Sequence, residues 1–321
     1  MKNARIVFMG TPEFAVATLG SLLMNGYNIA GIVTAPDRLA GRGRRITRSA
    51  VKEFAVSHYI PVNQPDNLKD PGFIDWLKKI NADIFIVVAF RMLPEVVWKI
   101  PENGTINLHA SLLPQYRGAA PINHVIINGE TITGVTTFLI NDKIDTGNIL
   151  LREEIRIFPV ENAGELHNRL MKYGARLVIK TLEGLAENSL KPQPQSQYIL
   201  PGETLRTAPK ILPENCIINW DNDPGKIYNL IRGLAPGPGA RSVLKKGSAT
   251  IFFKVFESQV ELVEHSFEPG HIMSDGKHFL KVACRGGYIT IMQLQLEGKR
   301  MMNIIEFLKG FRISDYSIDI N

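Results

Sequence analysis

The chain has 321 residues, of which 45% are hydrophobic and 21% charged, and its formal net charge is +6. This composition is ordinary for a globular protein with room for two domains, and it excludes a disordered chain. The two cysteines, Cys216 and Cys284, are too few for a disulfide framework or a cysteine-rich metal site and favour a reducing compartment. Because we find neither a signal peptide nor eighteen successive apolar residues, we expect a cytoplasmic protein without membrane association.

The first part of the chain alternates between predicted strands and helices. An apolar run at residues 5–9 predicts a strand, and helical spacing follows it, with Thr11 as the predicted cap and Pro12 at the first helical position. Further strands are predicted at residues 28–35, 61–62, 82–90, 105–109 and 133–140, and helices at residues 49–58, 71–80 and 119–128. The alternation predicts an α/β domain with a parallel sheet that binds ligands at the carboxyl ends of its strands.

Residues 36–52, called the basic segment below, carry most of the net positive charge. They contain six basic residues against the single acid Asp37, a local charge of +5, and the basic residues are Arg38, Arg42, Arg44, Arg45, Arg48 and Lys52. Two glycines within the segment predict a mobile loop that can neutralise several phosphates. A solvated loop without a partner is the alternative, but the charge density favours a polyanionic partner.

Three polar residues stand at or beyond predicted strand ends: Asn107, His109 and Asp145. Residues i and i+2 of a strand face the same side, so the Asn107 amide and the His109 imidazole project together. An uncharged N–H donor beside a ring that can carry a proton suits a carbonyl oxygen that becomes negative during attack. If the strand at residues 133–140 is a neighbour, Asp145 reaches the same edge and can orient the imidazole. From the pattern alone, a turn amide, an ordinary strand-end histidine and a loop-capping aspartate explain these residues equally well.

Other motifs of cofactor chemistry are missing from the sequence. The turn after the first strand, at residues 10–15, lacks the three glycines of a dinucleotide fingerprint, and no P-loop is present. NAD and ATP chemistry are therefore disfavoured. No grouping of His, Cys and carboxylate residues has structural-zinc spacing, so we expect no metal.

The pattern changes in the second part of the chain. A strand or hairpin is predicted at residues 149–157, a long amphipathic helix at 163–186, and a proline-rich linker near 191–197. Beyond these, short strands typical of a small barrel surround a helix at residues 223–233, which begins with Asp223 as cap and Pro224 at its first position. We predict a catalytic domain at residues 1–190, a linker at 191–207 and a barrel domain at 208–321.

Five segments, in the same order along the chain, resemble the 10-formyltetrahydrofolate-dependent formyltransferases that act on methionyl-tRNA. They are GTPEFA at 10–15, PDRLAGRGR at 36–44, NLHASLLPQYRGAAP at 107–121, GVTTFLINDKIDTGNIL at 134–150 and APKILPENCIINW at 208–220. The Asn-x-His, Ser-Leu-Leu-Pro and Asp-Thr-Gly elements belong to the wider family. The basic segment and the C-terminal part point to the tRNA-acting branch.

The resemblance implies an α/β fold with a Rossmann-like, mostly parallel sheet domain, followed by an OB-like β-barrel domain that helps to bind tRNA. It implies formyl transfer from 10-formyltetrahydrofolate to methionyl initiator tRNA. We expect the protein to be a monomer. By this resemblance the catalytic residues are Asn107, His109 and Asp145. The implied folate contacts are Ser111, Leu112, Leu113 and Pro114, and the implied tRNA contacts are Arg38, Arg42, Arg44 and Arg45. Lys210 is a further candidate for a tRNA contact. We expect a structural role for Asp142, a second carboxylate in the loop before Asp145.

Two alternatives remain at this point. Formyl transfer to a small amine, such as glycinamide ribonucleotide or a nucleotide sugar, would use the same three catalytic residues but leaves the basic segment and the barrel without a task. A non-catalytic RNA-binding protein on a decayed enzyme scaffold would leave the intact Asn107, His109 and Asp145 unexplained.

Overall fold

The computed structural model describes residues 2–40 and 45–319. Its strands are β1 Arg5–Gly10, β2 Asn28–Val33, β3 Arg38–Ala40, β4 Arg45–Thr47, β5 Val62–Asn63, β6 Ile84–Val88, β7 Thr105–His109, β8 Ile132–Leu139, β9 Ile149–Arg156, β10 Ala240–Lys246, β11 Ala249–Leu262, β12 Ile272–Ser274, β13 Leu280–Cys284, β14 Gly287–Leu296, β15 Met302–Asn303 and β16 Ser317–Ile318. The α-helices are α1 Glu13–Met24, α2 Ala50–Ser57, α3 Pro71–Ile80, α4 Glu95–Trp98, α5 Pro121–Ile127, α6 Ala163–Ala186, α7 Pro224–Gly233 and α8 Ile304–Gly310. Single turns of 3₁₀ helix lie at Gln195–Tyr198, Pro213–Cys216 and Ile313–Asp315.

The chain divides into two compact units. The first consists of Met1–Gly118, Ile132–Arg156 and His167–Thr207, and the second of Ala119–Thr131, Ile157–Leu166 and Ala208–Asn321. Residues 191–207, predicted as a linker, are thus grouped with the first unit.

The first unit is built on a sheet with the strand order β5-β2-β1-β6-β7-β8-β9. The strands from β5 to β7 pair in parallel, whereas β8 and β9 run antiparallel. All five residues of β6 are buried, as its continuously apolar sequence predicts. Phe73 and Leu77 of α3 pack in one core cluster with Val7, Phe85 and Val87 of the sheet. This arrangement confirms the Rossmann-like, mostly parallel sheet.

Two predictions for this unit are wrong in detail. Pro12, not Thr11, occupies the cap position of α1, and no side chain makes a capping hydrogen bond there. The basic segment is not a plain loop, because β3 and β4 form a short antiparallel hairpin within it. Residues 41–44, between these two strands, lie outside the described residues.

The second unit contains an antiparallel, barrel-like sheet. Its strand order is β12-β13-β14-β11-β10-β16, and β15 pairs with β14. Trp220 is buried at its core, and the indole N–H donates a hydrogen bond of 2.9 Å to the Ser242 hydroxyl. The predicted helix start is confirmed, since the Asp223 carboxylate accepts the Lys226 N–H at the first turn of α7. The barrel prediction for the C-terminal part is therefore confirmed.

Candidate active site

The carboxyl end of β7 presents the first two predicted catalytic residues. Asn107 pairs with Val87 of β6 on one side and with Phe138 of β8 on the other, which fixes its place in the middle of the sheet. Its side chain is half-buried, and among the described residues its carboxamide has no hydrogen-bond partner. His109, two residues further, is buried. The Asn107 donors are therefore free to bind a ligand, whereas the histidine is held by the protein.

The two nitrogens of His109 have different partners. Nε2 lies 2.9 Å from the backbone oxygen of Tyr116. Because a carbonyl only accepts hydrogen bonds, Nε2 carries the hydrogen and donates it. Nδ1 lies 3.7 Å from the Asp145 Oδ2, beyond hydrogen-bonding distance but close enough for an ion pair. Nδ1 therefore faces the carboxylate.

Asp145 is held in place by its own loop and by Gly118. Its Oδ2 accepts the Gly118 N–H at 2.9 Å. Its backbone has a φ of 53°, in the left-handed region that few residues other than glycine adopt. Two residues later a side chain on Gly147 would place its Cβ 1.6 Å from the Leu139 oxygen, so only glycine fits there. The Asp-Thr-Gly element thus makes a tight turn that presents the carboxylate to His109.

Asp145 reaches this edge through the loop that follows β8. β8 runs antiparallel to β7, with Leu139 opposite Ile106 and Thr136 opposite His109. The strand therefore ends at the far end of β7, roughly 10 Å from His109 at about 3.3 Å per residue. Residues 140–148 run back toward the carboxyl end and bring the aspartate to the imidazole. β8 is a neighbour of β7, as the expectation required, and Asp145 reaches the edge through this loop.

The predicted folate-contact segment forms a turn after β7. The Ser111 hydroxyl donates to the Gln115 oxygen at 2.6 Å, and Ser111 and Leu113 are fully buried. Pro114 is buried too, while Leu112 keeps part of its side chain exposed. Thr136 of β8 ties the turn to the sheet, because its hydroxyl donates to the Ser111 oxygen and accepts the Leu113 N–H. The buried side chains shape the segment, and its contact with folate stays a prediction.

Sequence reasoning missed several residues that build this site. Tyr116 and Gly118 hold the imidazole and the carboxylate through backbone atoms, which no side-chain pattern reveals. Burial lowers the pKa of the Arg117 guanidinium below its ordinary value, and the neighbouring Asp145 carboxylate opposes this shift. Thr136 could have been noticed as a polar residue within an apolar strand. Gln195 lies in the segment that its composition marked as a linker.

Of the predicted tRNA contacts in the basic segment, the structure describes only part. The Arg38 side chain is exposed. Arg42 and Arg44 lie outside the described residues, and for Arg45 only the backbone in β4 is described.

The base of the basic segment is fixed by Asp37. Its carboxylate accepts Gln64 Nε2 at 2.8 Å and pairs with the Lys52 ammonium at 2.5 Å. These two interactions, Gln64 first and Lys52 second, lower the pKa of Asp37. The positive charge of Lys52 is thus neutralised within the protein, and the arginines supply the charge that remains for a partner.

The remaining predicted residues are exposed. Lys210 is exposed in the second unit. Asp142 is exposed in the loop before Asp145 and makes no hydrogen bond or ion pair with any described residue. In the described ranges, no cluster of three or more His, Cys, Asp or Glu residues is arranged to hold a metal ion. None of the helices described is both long enough and apolar enough to cross a membrane.

Comparison with known proteins identifies the family. A family model described as Formyl transferase matches residues 4–182, and one described as Formyl transferase, C-terminal domain, matches residues 210–312. A methionyl-tRNA formyltransferase of Bacteroides fragilis is 48% identical over 98% of this chain and 97% of the relative. The methionyl-tRNA formyltransferase of Flavobacterium johnsoniae is 49% identical over 98% of both chains.

Solved structures with low sequence identity share the fold. The sugar 3N-formyl transferase WlaRD, solved in the presence of dTDP and 5-N-formyl-THF, has a TM-score of 0.65 at 20% identity, covering 92% of this chain and 99% of that one. HypX from Aquifex aeolicus in complex with tetrahydrofolic acid has a TM-score of 0.64 at 18% identity, covering 98% of this chain and 50% of that one.

Proposed function

Because the chain belongs to the formyl transferase family, we propose that it transfers the formyl group of 10-formyltetrahydrofolate to the α-amine of methionyl initiator tRNA. The observation that carries this proposal is the likeness, at 48–49% identity over nearly the whole chain, to enzymes named for this activity. The juxtaposition of His109 and Asp145 supplies the chemistry that formyl transfer needs.

The reaction moves an acyl group from one nitrogen to another. The α-amine attacks the formyl carbon, a C–N bond forms, and the carbonyl oxygen becomes negative in a tetrahedral intermediate. The intermediate collapses when the bond to the folate nitrogen breaks and that nitrogen gains the proton that the amine loses. No covalent bond to the enzyme is needed, because the amine is itself a sufficient nucleophile.

Asn107 and His109 are proposed to stabilise the negative oxygen. The Asn107 carboxamide offers two N–H donors without a partner among the described residues. A donor of this kind contributes about 3 kcal/mol when it meets charge that develops in the transition state. The His109 Nδ1, which has no hydrogen-bond partner in the part of the chain that the structure describes, provides a second donor when protonated.

Asp145 is proposed to serve His109 and the transferred proton. Its carboxylate faces Nδ1 at 3.7 Å, so it can form an ion pair with the ring when the ring is protonated. It can also relay the proton from the amine to the folate nitrogen through a water. Ser111 has no such role, since its hydroxyl is committed to the Gln115 oxygen.

We assign recognition of the tRNA to positively charged side chains that lie away from the carboxyl end of β7. The arginines of the basic segment and Lys210 of the second unit are proposed to contact the phosphate backbone. The two free cysteines, both buried, support a reducing compartment such as the cytoplasm, where we propose that the enzyme works as a monomer.

A panel of formyl acceptors tests this function. Purified protein and 10-formyltetrahydrofolate are incubated with methionyl initiator tRNA, methionyl elongator tRNA, free methionine or a nucleotide amino sugar. We expect the initiator tRNA to be formylated fastest. Equal activity on free methionine would contradict the tRNA assignment, and activity on the amino sugar alone would support a small-amine enzyme. Salt-sensitive tRNA binding without formylation would indicate a non-catalytic RNA-binding protein.

A further inference from the structure

Gln195 is a buried residue with a fully satisfied side chain. It is 5% exposed, although it lies in a polar, proline-rich segment. Its Nε2 donates to the backbone oxygens of Asp145 and Gly147, at 2.8 and 2.9 Å. Its Oε1 accepts two hydrogen bonds from Arg117, at 3.0 Å from Nε and 2.6 Å from Nη2. A carboxamide has two donors and two principal acceptor sites, and all four are used here.

Gln195 joins two loops, and these loops hold His109 and Asp145 in place. The loop at residues 111–118 includes Tyr116, whose oxygen accepts from His109, and Gly118, whose N–H binds the Asp145 carboxylate. Arg117 lies between them. The loop at residues 140–148 carries Asp145 itself. Gln195 is therefore a bridge from the imidazole-holding loop to the backbone of the carboxylate-bearing residue.

The segment that carries Gln195 is itself anchored on both sides. On one side Gln193 makes two backbone hydrogen bonds with Ile149, the first residue of β9, each of 2.8 Å. On the other side the Arg206 oxygen accepts the Tyr116 N–H at 2.7 Å. The Gln115 side chain fastens the same stretch, donating to Glu203 and accepting the Arg206 N–H. Residues 193–207 thus lie along both loops rather than crossing open space.

We propose that Gln195 is a positioning residue of the formyl-transfer site, which acts by fixing the Asp145 carboxylate relative to His109. The proposal rests on the proposed function. Asp145 has a left-handed backbone, and its carboxylate contacts His109 only at ion-pair distance, so a small shift of its loop changes the pair. Positional shifts of about 1 Å can lower a rate by about 100-fold.

Only glutamine satisfies this position. Alanine would leave the two carbonyls and the half-buried Arg117 side chain without their shared partner. Glutamate would keep an acceptor for Arg117, but its second carboxylate oxygen would face the backbone oxygens of Asp145 and Gly147 and could donate no hydrogen bond to them. Asparagine keeps both groups on a side chain shorter by one methylene, so it would restore part of the bridge.

Steady-state kinetics of Gln195→Ala, Gln195→Glu and Gln195→Asn test the proposal. We expect kcat to fall by about 10- to 100-fold in the first two variants and less in the third, with the KM for tRNA and folate within about twofold of wild type. The matched control is Gln197→Ala, an exposed glutamine in the same turn, which should leave kcat unchanged. Wild-type kcat in both Gln195→Ala and Gln195→Glu would overturn the proposal.

A double-mutant cycle separates positioning from general stability. If Gln195 acts through Asp145, Gln195→Ala should lower kcat by less than about twofold when Asp145→Asn is already present. Multiplicative effects of the two changes would overturn the proposal, and the same cycle with Gln195→Glu replaces it if the alanine variant does not fold.

Hydrogen–deuterium exchange at the Gly118 amide gives a readout independent of activity. This amide donates to Asp145, so its exchange should be faster in Gln195→Ala and unchanged in Gln197→Ala. Unchanged exchange in Gln195→Ala would contradict the bridge even if the wild-type protein formylates tRNA. Faster exchange in Gln195→Ala, found together with a wild-type protein that formylates no acceptor, would contradict the proposed function and retain the bridge.

Discussion

The carboxyl end of β7 and the basic segment hold their polar side chains in opposite ways. At the sheet edge, His109 is buried and bonded to Tyr116, Asp145 is bonded to Gly118, and one buried glutamine joins their loops. In the described part of the basic segment, the Asp37 carboxylate is held by Gln64 and Lys52, while Arg38 and Arg48 are exposed. We therefore expect the role of the first region to depend on the exact positions of its side chains, and the role of the second to depend on its positive charge.

This difference predicts different kinetic consequences. Changes at the sheet edge should lower kcat, because they alter groups that we propose to meet the transition state. Changes in the basic segment should raise the KM for tRNA and alter its salt dependence, because phosphate contacts contribute additively and release counterions.

The largest effect is expected for His109→Ala. Loss of the imidazole removes the partner of Asp145 and the proposed donor to the negative oxygen, so kcat should fall by about a thousandfold, with the KM for tRNA nearly unchanged. Steady-state formylation measures both constants. His58→Ala is the control, because His58 is exposed and stacks on Phe54. A fall of less than about tenfold would show that the imidazole is not part of the chemistry.

The next effect is expected for the double change Arg42→Ala and Arg44→Ala. The KM for tRNA should rise by about tenfold, with kcat retained, and the slope of log KM against log salt concentration should shrink by about two. Arg156→Ala removes an exposed arginine of β9 and serves as the control. An unchanged salt slope in the double variant would mean that these arginines do not contact phosphates.

A smaller effect is expected for Thr136→Val. The variant leaves the Ser111 oxygen and the Leu113 N–H without their partner, which should destabilise the protein by about 1–3 kcal/mol. Urea unfolding measures the loss, and the KM for folate should rise if the turn contacts the donor. Thr137→Val, which breaks a buried bond to Thr181, should cost similar stability without a change in folate KM. An equal change in the KM for folate in both variants would contradict a contact between this turn and the folate donor.

The smallest effect is expected for the cysteines of the second unit. Burial raises the pKa of Cys216, and it raises that of Cys284 to about 11. Since the thiolate is the reactive form and exists only as pH approaches the pKa, about one Cys284 in a thousand is ionised at pH 8. Neither thiol should react with an aromatic disulfide in the native protein, and both should react in denaturant. Rapid labelling of either thiol in the native protein would mean that the core of the second unit opens to solvent more readily than the buried site at the carboxyl end of β7.

Local sequence signals predicted most of the elements. The bounds of α3 and α6 agree with their predicted ranges, and Asp223 caps α7 as its Asp-Pro pair indicates. These features depend on residues within a few positions of each other, so periodicity and capping rules suffice. The excess of arginine in the basic segment is likewise visible without a structure.

Contacts between residues that are far apart in the chain could not be predicted from the sequence. The direction of β8 depends on its pairing with β7, and an apolar strand reads the same in either direction, so the sequence could not show that Asp145 reaches the edge through a returning loop. The contacts of Gln195 join residues about 50 and 78 positions apart. A polar, proline-rich segment has the composition of a linker whether or not it lies against a site.

The central claim is that the carboxyl end of β7 performs the chemistry while the basic segment binds tRNA. Its most direct test is the single-turnover rate of Asn107→Ala at saturating enzyme, with methionyl initiator tRNA and 10-formyltetrahydrofolate. Saturation removes differences in tRNA binding, so the rate reports only the chemical step. We predict a fall of about 100- to 1000-fold, the effect of removing one donor to a developing oxyanion, with the salt dependence of tRNA binding unchanged. A rate close to that of the wild-type enzyme would contradict the assignment of the chemistry to the carboxyl end of β7.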